Sequence, residues 1–229
     1  EWYEDGQKRR ERNFKDGERD STWTTWYKNG NKKFLASYSD GKLNGKYIRW
    51  YEGGIIKELD GEYLNNKKHK KWIYWSKNGQ KTEEINYDNG VHHGSHIKWF
   101  GEKSDQHKKF HINYKNGDKD GNWHHWFSSG VDSLKATYLN GEKDGHWIWW
   151  RKNGLKDKEG FYKKEKKHGL WTIWNDSTGS AYHKLHEETY VNDAINGKVT
   201  KWYKEGGLDR QGIMRGKEKE GEWTYWERG

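Results

Sequence analysis

The chain has 229 residues, of which 30% are hydrophobic, 34% charged and 17% aromatic, with a formal net charge of +9. A mean hydropathy of −1.50 excludes a thick aliphatic core, and no run of about 18 apolar residues is present to cross a membrane as a helix. Cysteine and proline are both absent, which removes disulfides and thiolate metal sites and suits a chain that is mostly paired strand.

Such polarity would ordinarily leave a chain disordered. The seventeen tryptophans and fifteen tyrosines argue otherwise, because each buries far more area than an aliphatic side chain. Trp2, Trp26, Trp50, Trp75, Trp99, Trp126, Trp150, Trp174, Trp202 and Trp226 follow one another at 24 to 28 residues. A period of that length marks a repeat array, in which each unit packs on its neighbours.

Position 0 is set at the aromatic that opens each repeat. Residues 1–13 are then a partial repeat, and the following ones open at Phe14, Tyr38, Tyr63, Tyr87, Tyr114, Tyr138, Tyr162, Tyr190 and Met214. In chain order, the Phe14 repeat carries Ser21 at position 7 and ends its first strand at Asn29-Gly30. The Tyr38 repeat has Asp40-Gly41 and Gly45; the Tyr63 repeat has Lys70 at position 7 and Asn78-Gly79. The Tyr87 repeat puts His96 where tryptophan is expected and lengthens to 27 residues, losing the Asn-Gly pair. Regular repeats resume with Asn116-Gly117 to Gly121, and with Asn140-Gly141 to Gly145 and Asn153-Gly154. The Tyr162 repeat lengthens to 28, and the Met214 repeat lacks its return strand.

Each repeat therefore reads as a β-hairpin, and the whole as an all-β, elongated antiparallel meander of tandem hairpins, a single twisted, solenoid-like sheet over 1–229. The Asn-Gly pairs predict two-residue turns with both central residues at positive φ, and the Gly41-to-Gly45 type of segment a longer connection. Period 2 sorts the first strand into two faces. Positions 10, 12 and 14 (Ile48-Trp50-Glu52, Ile73-Trp75-Lys77) are monotonous and predict the packing spine. Positions 9, 11 and 13 (Trp72-Tyr74-Ser76, Trp147-Trp149-Arg151) are varied and predict a partner surface. The chain starts and stops in mid-repeat, so it is expected to be a piece of a longer array, or to have its open edges covered by another chain, with end-to-end association as a further outcome.

The pattern Tyr-x-x-Gly-x-x-x-Gly-x-Trp-x-x-Trp/Tyr-x-x-Asn-Gly, clearest from Tyr114 to Phe127, Tyr138 to Gly154 and Tyr38 to Gly54, resembles the MORN-repeat family, and most closely its bacterial variant. The resemblance covers essentially the whole chain. It implies an elongated β-array without catalysis, of a kind described as antitoxin-like in bacteria and as scaffold or membrane-associated adaptor in eukaryotes. The Gly-x-Trp-x-x-Trp segments also resemble choline- and glucan-binding cell-wall repeats, whose period is shorter.

Four groups of residues are candidate sites. Position 5 is cationic at Arg19, Lys68, Lys119, Lys143, Lys167 and Lys219, a row that can meet nucleic acid, anionic lipid or an acidic protein, or be solvated lysines that blunt an edge. The aromatics Trp23, Trp72, Trp123, Trp147, Trp149 and Trp171 can stack sugars or bases or anchor a protein, or pack across strands. Seven histidines between His92 and His125 match no zinc spacing, and Asn116 to Phe127 fails as a calcium loop at its twelfth place. No metal and no cofactor is expected. No nucleophile elbow, phosphate loop or His-Glu-x-x-His is present, so no enzyme is expected. The expected function is a repeat scaffold that binds a macromolecule, most readily a protein. Cell-envelope glycan or anionic lipid binding and structural self-assembly are the alternatives, in a bacterial cytoplasm or envelope.

Overall fold

The computed structural model describes residues 1–101, 107–176 and 181–228. The insertions that lengthen the Tyr87 and Tyr162 repeats fall at 102–106 and 177–180, outside the described residues. The chain forms two compact units, Glu1–Asp118 and Lys119–Gly229. The first holds β1 (Arg10–Lys15), β2 (Glu18–Trp26), β3 (Lys32–Ser39), β4 (Lys42–Trp50), β5 (Lys57–Leu64), β6 (Lys67–Trp75), β7 (Lys81–Asp88), β8 (Val91–Trp99) and β9 (Lys108–Lys115). The second holds β10 (Asp118–Trp126), β11 (Asp132–Leu139), β12 (Glu142–Lys143), β13 (Gly145–Trp150), β14 (Lys156–Lys163), β15 (Lys166–Trp174), β16 (Lys184–Val191), β17 (Ala194–Trp202), β18 (Leu208–Arg215) and β19 (Glu218–Tyr225). Within each unit consecutive strands pair antiparallel, β12 and β13 both pairing with β11, so the fold is the expected hairpin meander.

The turns are the reverse of the sequence expectation. Asp40-Gly41, Asn89-Gly90, Asn116-Gly117 and Asn140-Gly141 have both residues at positive φ, as do Asn65-Asn66 and Asn192-Asp193. These are the two-residue turns. At Asn29-Gly30 only the glycine is left-handed, at φ 82°. The loop there is longer, closed by Gly30 N–H to the Tyr27 carbonyl at 3.0 Å and Tyr27 N–H to the Asn31 carbonyl at 2.8 Å. That is a three-residue hairpin loop with the glycine in its left-handed place. Asparagine is useful there because its Oδ1 accepts from the backbone two residues on, as Asn29 does from Asn31 at 3.0 Å and Asn153 from Leu155 at 3.1 Å.

Position 7 marks a bulge inside the sheet. The register slips between Ala36 and Tyr38 where β3 meets β4, and Gly45 stands there at φ 105°. The same slip recurs between Asp60 and Glu62 and between Glu159 and Phe161. A left-handed residue is what such a bulge demands. Ser21 and Lys70, which stand in for glycine at position 7, both sit at φ 59°.

The spine also differs from the expectation. Trp72, Trp147 and Trp171, all at position 9, are only 2, 4 and 5% exposed. They belong with Ala36, Leu59, Ile85, Ile112, Ala136 and Val199 in the buried core. The position-12 tryptophans that were expected to form the spine are half-buried from Trp26 to Trp202. The reason is the bulge. At it, the position-9 indole N–H reaches the carbonyl ten residues back: Trp72 to Glu62, Trp147 to Thr137 and Trp171 to Phe161, each at 3.1 Å. A buried indole needs such a partner, and Trp72, Trp147 and Trp171 have it, whereas the Trp123 indole nitrogen is buried without one. The monotonous face still buries β-branched side chains at position 10, among them Thr24, Ile48, Thr172 and Thr200.

Candidate functional site: a cation–aromatic column

The two rows that the sequence reading kept apart, cations at position 5 and aromatics at position 9, meet in space. Arg19 lies 4.4 Å from the centre of the Trp23 ring, Lys68 4.4 Å from Trp72 and Lys119 4.4 Å from Trp123. Lys143 lies 5.5 Å from Trp147, Lys167 4.5 Å from Trp171 and Lys219 4.9 Å from Trp223. Each distance is within the range where an ammonium or guanidinium is held by the ring quadrupole. The aromatic that opens the next repeat closes over the same cation: Lys68 is 5.1 Å from Tyr87, Lys143 5.2 Å from Tyr162 and Lys167 4.8 Å from Tyr190.

The two residues come together because β-strand geometry and the bulge at position 7 place positions 5 and 9 on one face. The position-5 backbone is fixed as well. Its carbonyl accepts from the turn of the following repeat, as Lys68 does from Gly90 N–H at 2.7 Å and Lys167 from Asp193 N–H at 3.0 Å. The aromatic rings then contact one another. Tyr63 meets Trp72 edge-on at 5.0 Å, and Trp147 meets Tyr138 and Tyr162, each at 5.3 Å. Trp149, at position 11, is half-buried between Trp147 and Trp171, at 5.5 and 5.8 Å, with Lys158 at 4.9 Å.

Of the twelve residues singled out from sequence, Trp72, Trp147 and Trp171 thus have their faces occupied by chain neighbours. Trp23 and Trp123 are half-buried. Trp23 lines a surface depression of about 380 Å³ with Arg10, Arg12, Arg19 and Tyr38. The cations at position 5 lie against aromatic rings instead of forming a separate row. The sequence reading missed Trp223, which completes the sixth pair, although a signal for it exists. Where position 9 is tryptophan, position 5 is lysine or arginine, in six repeats of nine; where it is not, the pair is Leu43/Tyr47, His92/His96 or Ile195/Val199. That internal co-variation couples the two positions.

Two further features take their meaning from the geometry. In the Tyr87 repeat, His92 and His96 replace the cation and the tryptophan, with ring centres 5.7 Å apart, and the His96 Nε2 is 2.8 Å from Glu83 Oε1. Burial first, and then the neighbouring His96 and Lys68, push the His92 pKa below the ordinary imidazole value. The hydrogen bond from His96, with Lys98 alongside, holds the Glu83 carboxyl below the usual range despite burial. Second, on the opposite face, Phe161 and Leu170 are 45 and 48% exposed, and the His146 ring stacks on Phe161 at 4.5 Å. The equivalent pairs Ser37/Lys46, Glu62/Lys71 and Asn86/Ser95 are polar, whereas Ile213/Glu222 again carries one exposed apolar member.

Among the described residues no group of three or more His, Asp or Glu side chains is placed to hold a metal ion, and no helix is long and apolar enough to cross a membrane. In comparison with known proteins, no family model matches the chain, and no curated protein matches it.

Proposed function

We propose that the chain is a non-catalytic repeat scaffold of the MORN-variant kind that binds another protein, in an antitoxin- or adaptor-like role. The observation that carries the reading is the Phe161–Leu170 patch. An aromatic and an aliphatic side chain stand exposed on adjacent paired strands, in a row whose other exposed large apolar member is Ile213. Exposed apolar groups on a rigid support are the usual anchors of a protein interface. The position-9 column supports the platform by fixing the strands beneath. The test is affinity capture with the full chain and with a Phe161→Ser/Leu170→Ser variant whose circular dichroism is unchanged. Partners retained by the first and lost by the second support the reading; partners retained equally by both would remove it.

A second reading, binding of a cell-envelope glycan, draws on the position-12 tryptophans of the first unit. There Trp26 pairs with Lys32, Trp50 with Lys57, Trp75 with Lys81 and Trp99 with Lys108. An indole and an ammonium alternate on successive strands, about 10 Å per repeat. Retention on immobilised peptidoglycan or glucan that is lost in Trp50→Ala/Trp75→Ala favours this reading over the first.

A further inference from the structure

One repeat of the first unit carries a pair of imidazoles in place of the cation and the indole. In six repeats a permanent cation lies over an indole. In the Tyr87 repeat the same two places hold imidazoles, both on β8. His92 sits between Tyr87 at 4.9 Å and Tyr114 at 5.1 Å, and His96 lies against Phe110 at 4.9 Å. The cluster is partly closed to water: the His96 side chain is 12% exposed, and its Nδ1 is buried without a hydrogen-bond partner.

We infer that the His92–His96 pair is a proton-sensitive joint, at which β8 loosens from β7 and β9 on mild acidification while the Lys- and Arg-capped hairpins hold.

The groups facing His92 decide the sign. From β6 comes Lys68, which opposes a new positive charge. From β7 come Tyr87 and Glu83, the latter favouring charge but already engaged by His96 and by Lys98 at 3.8 Å. From β8 comes His96, and from β9 Tyr114. Protonated His92 therefore acquires its charge beside an existing ammonium and in partial burial. His96 holds its Nε2 2.8 Å from Glu83 Oε1, while its Nδ1 lies in a place that offers no hydrogen-bond partner. Because folding lowers the His92 pKa, the unfolded or locally opened segment takes up the proton first. Protection is complete above the ordinary imidazole value and declines as pH falls through it.

Amide hydrogen exchange on the full chain, expressed as protection factors, tests this at about pH 7.5 and about pH 5.5, on either side of the imidazole value. Protection across Val91–Trp99 and its β9 partners is expected to fall several-fold at the lower pH, with β2 to β4 unchanged. His92→Gln should abolish most of the fall. The double substitution His92→Lys/His96→Trp, which restores the common pair, should abolish all of it. An equal fall in His92→Gln, or a fall spread evenly over β1 to β9, would overturn the inference. Should the double variant not fold, His92→Gln decides alone.

Discussion

The phenol of Tyr51 donates its hydrogen bond to the backbone carbonyl of Trp75, 24 residues on, at 2.8 Å. Tyr3 makes the same bond to Trp26 at 2.8 Å, Tyr27 to Trp50 at 2.7 Å and Tyr203 to Trp226 at 2.6 Å, and Arg151 replaces the phenol toward Trp174 at 2.8 Å. One repeat is thereby stitched to the next at the end away from the two-residue turns. Tyr51→Phe should lower stability by about 1 kcal/mol, the net worth of one such bond. Chemical denaturation reads this directly, and an unchanged midpoint would show the stitch to be idle.

Position 7 yields a stabilising prediction. Ser21 and Lys70 occupy the left-handed region at φ 59°, where a Cβ is strained. Replacing either with glycine should raise stability by about 0.5–1 kcal/mol, after the entropy of the glycine is subtracted. Lys70 also loses an exposed ion pair with Glu62, a small effect. Thermal melting of Ser21→Gly, which loses no ion pair, is the cleaner measurement.

Gly61 is fixed for a different reason. A Cβ there would lie 2.3 Å from the Trp72 ring, while one on Gly53 would meet nothing within 4 Å. Gly61→Ala should therefore cost about 1–3 kcal/mol through overpacking, and Gly53→Ala should be close to neutral. Similar losses in both would contradict the close indole approach.

Acid sensitivity below the imidazole range should arise in part at Glu83. Its carboxyl is held below 4.5 by the His96 hydrogen bond first and then by Lys98. A depressed carboxyl stabilises the fold above its ordinary value and loses that contribution as pH falls through the folded pKa. Glu83→Gln should flatten the decline of denaturation midpoints below 4.5 while leaving the His92-dependent step at higher pH in place. An identical acid limb in the variant would assign the decline elsewhere.

Much of the fold was legible because a periodic signal survives errors in any one repeat. Trp26 to Trp226 and the Gly-containing turns fixed the hairpins. What was not legible was the direction of two local choices. Asn29-Gly30 and Asp40-Gly41 have almost the same chemistry, yet only the second is a two-residue turn. The difference lies in whether the first residue is also left-handed, which the dipeptide does not reveal. Likewise Trp72 and Trp75 are both strand tryptophans, and monotony at position 12 resembled a spine. The bulge at position 7 gives Trp72 an acceptor for its indole N–H and a cation for its ring, while position 12 lies near the longer loop beside lysine. The Lys68/Trp72 relationship was visible as co-variation between repeats. Phe161 and Leu170 were masked because neither position is prominent in the consensus.

The central claim is that positions 5 and 9 act as one unit in the core. A double-mutant cycle on Lys68→Met and Trp72→Leu, measured by chemical denaturation, tests it most directly. A coupling energy of about 0.5–2 kcal/mol is expected, with Trp72→Leu far more destabilising than the same change at Trp75. Additive effects of the two substitutions, or a larger loss at Trp75 than at Trp72, would contradict it.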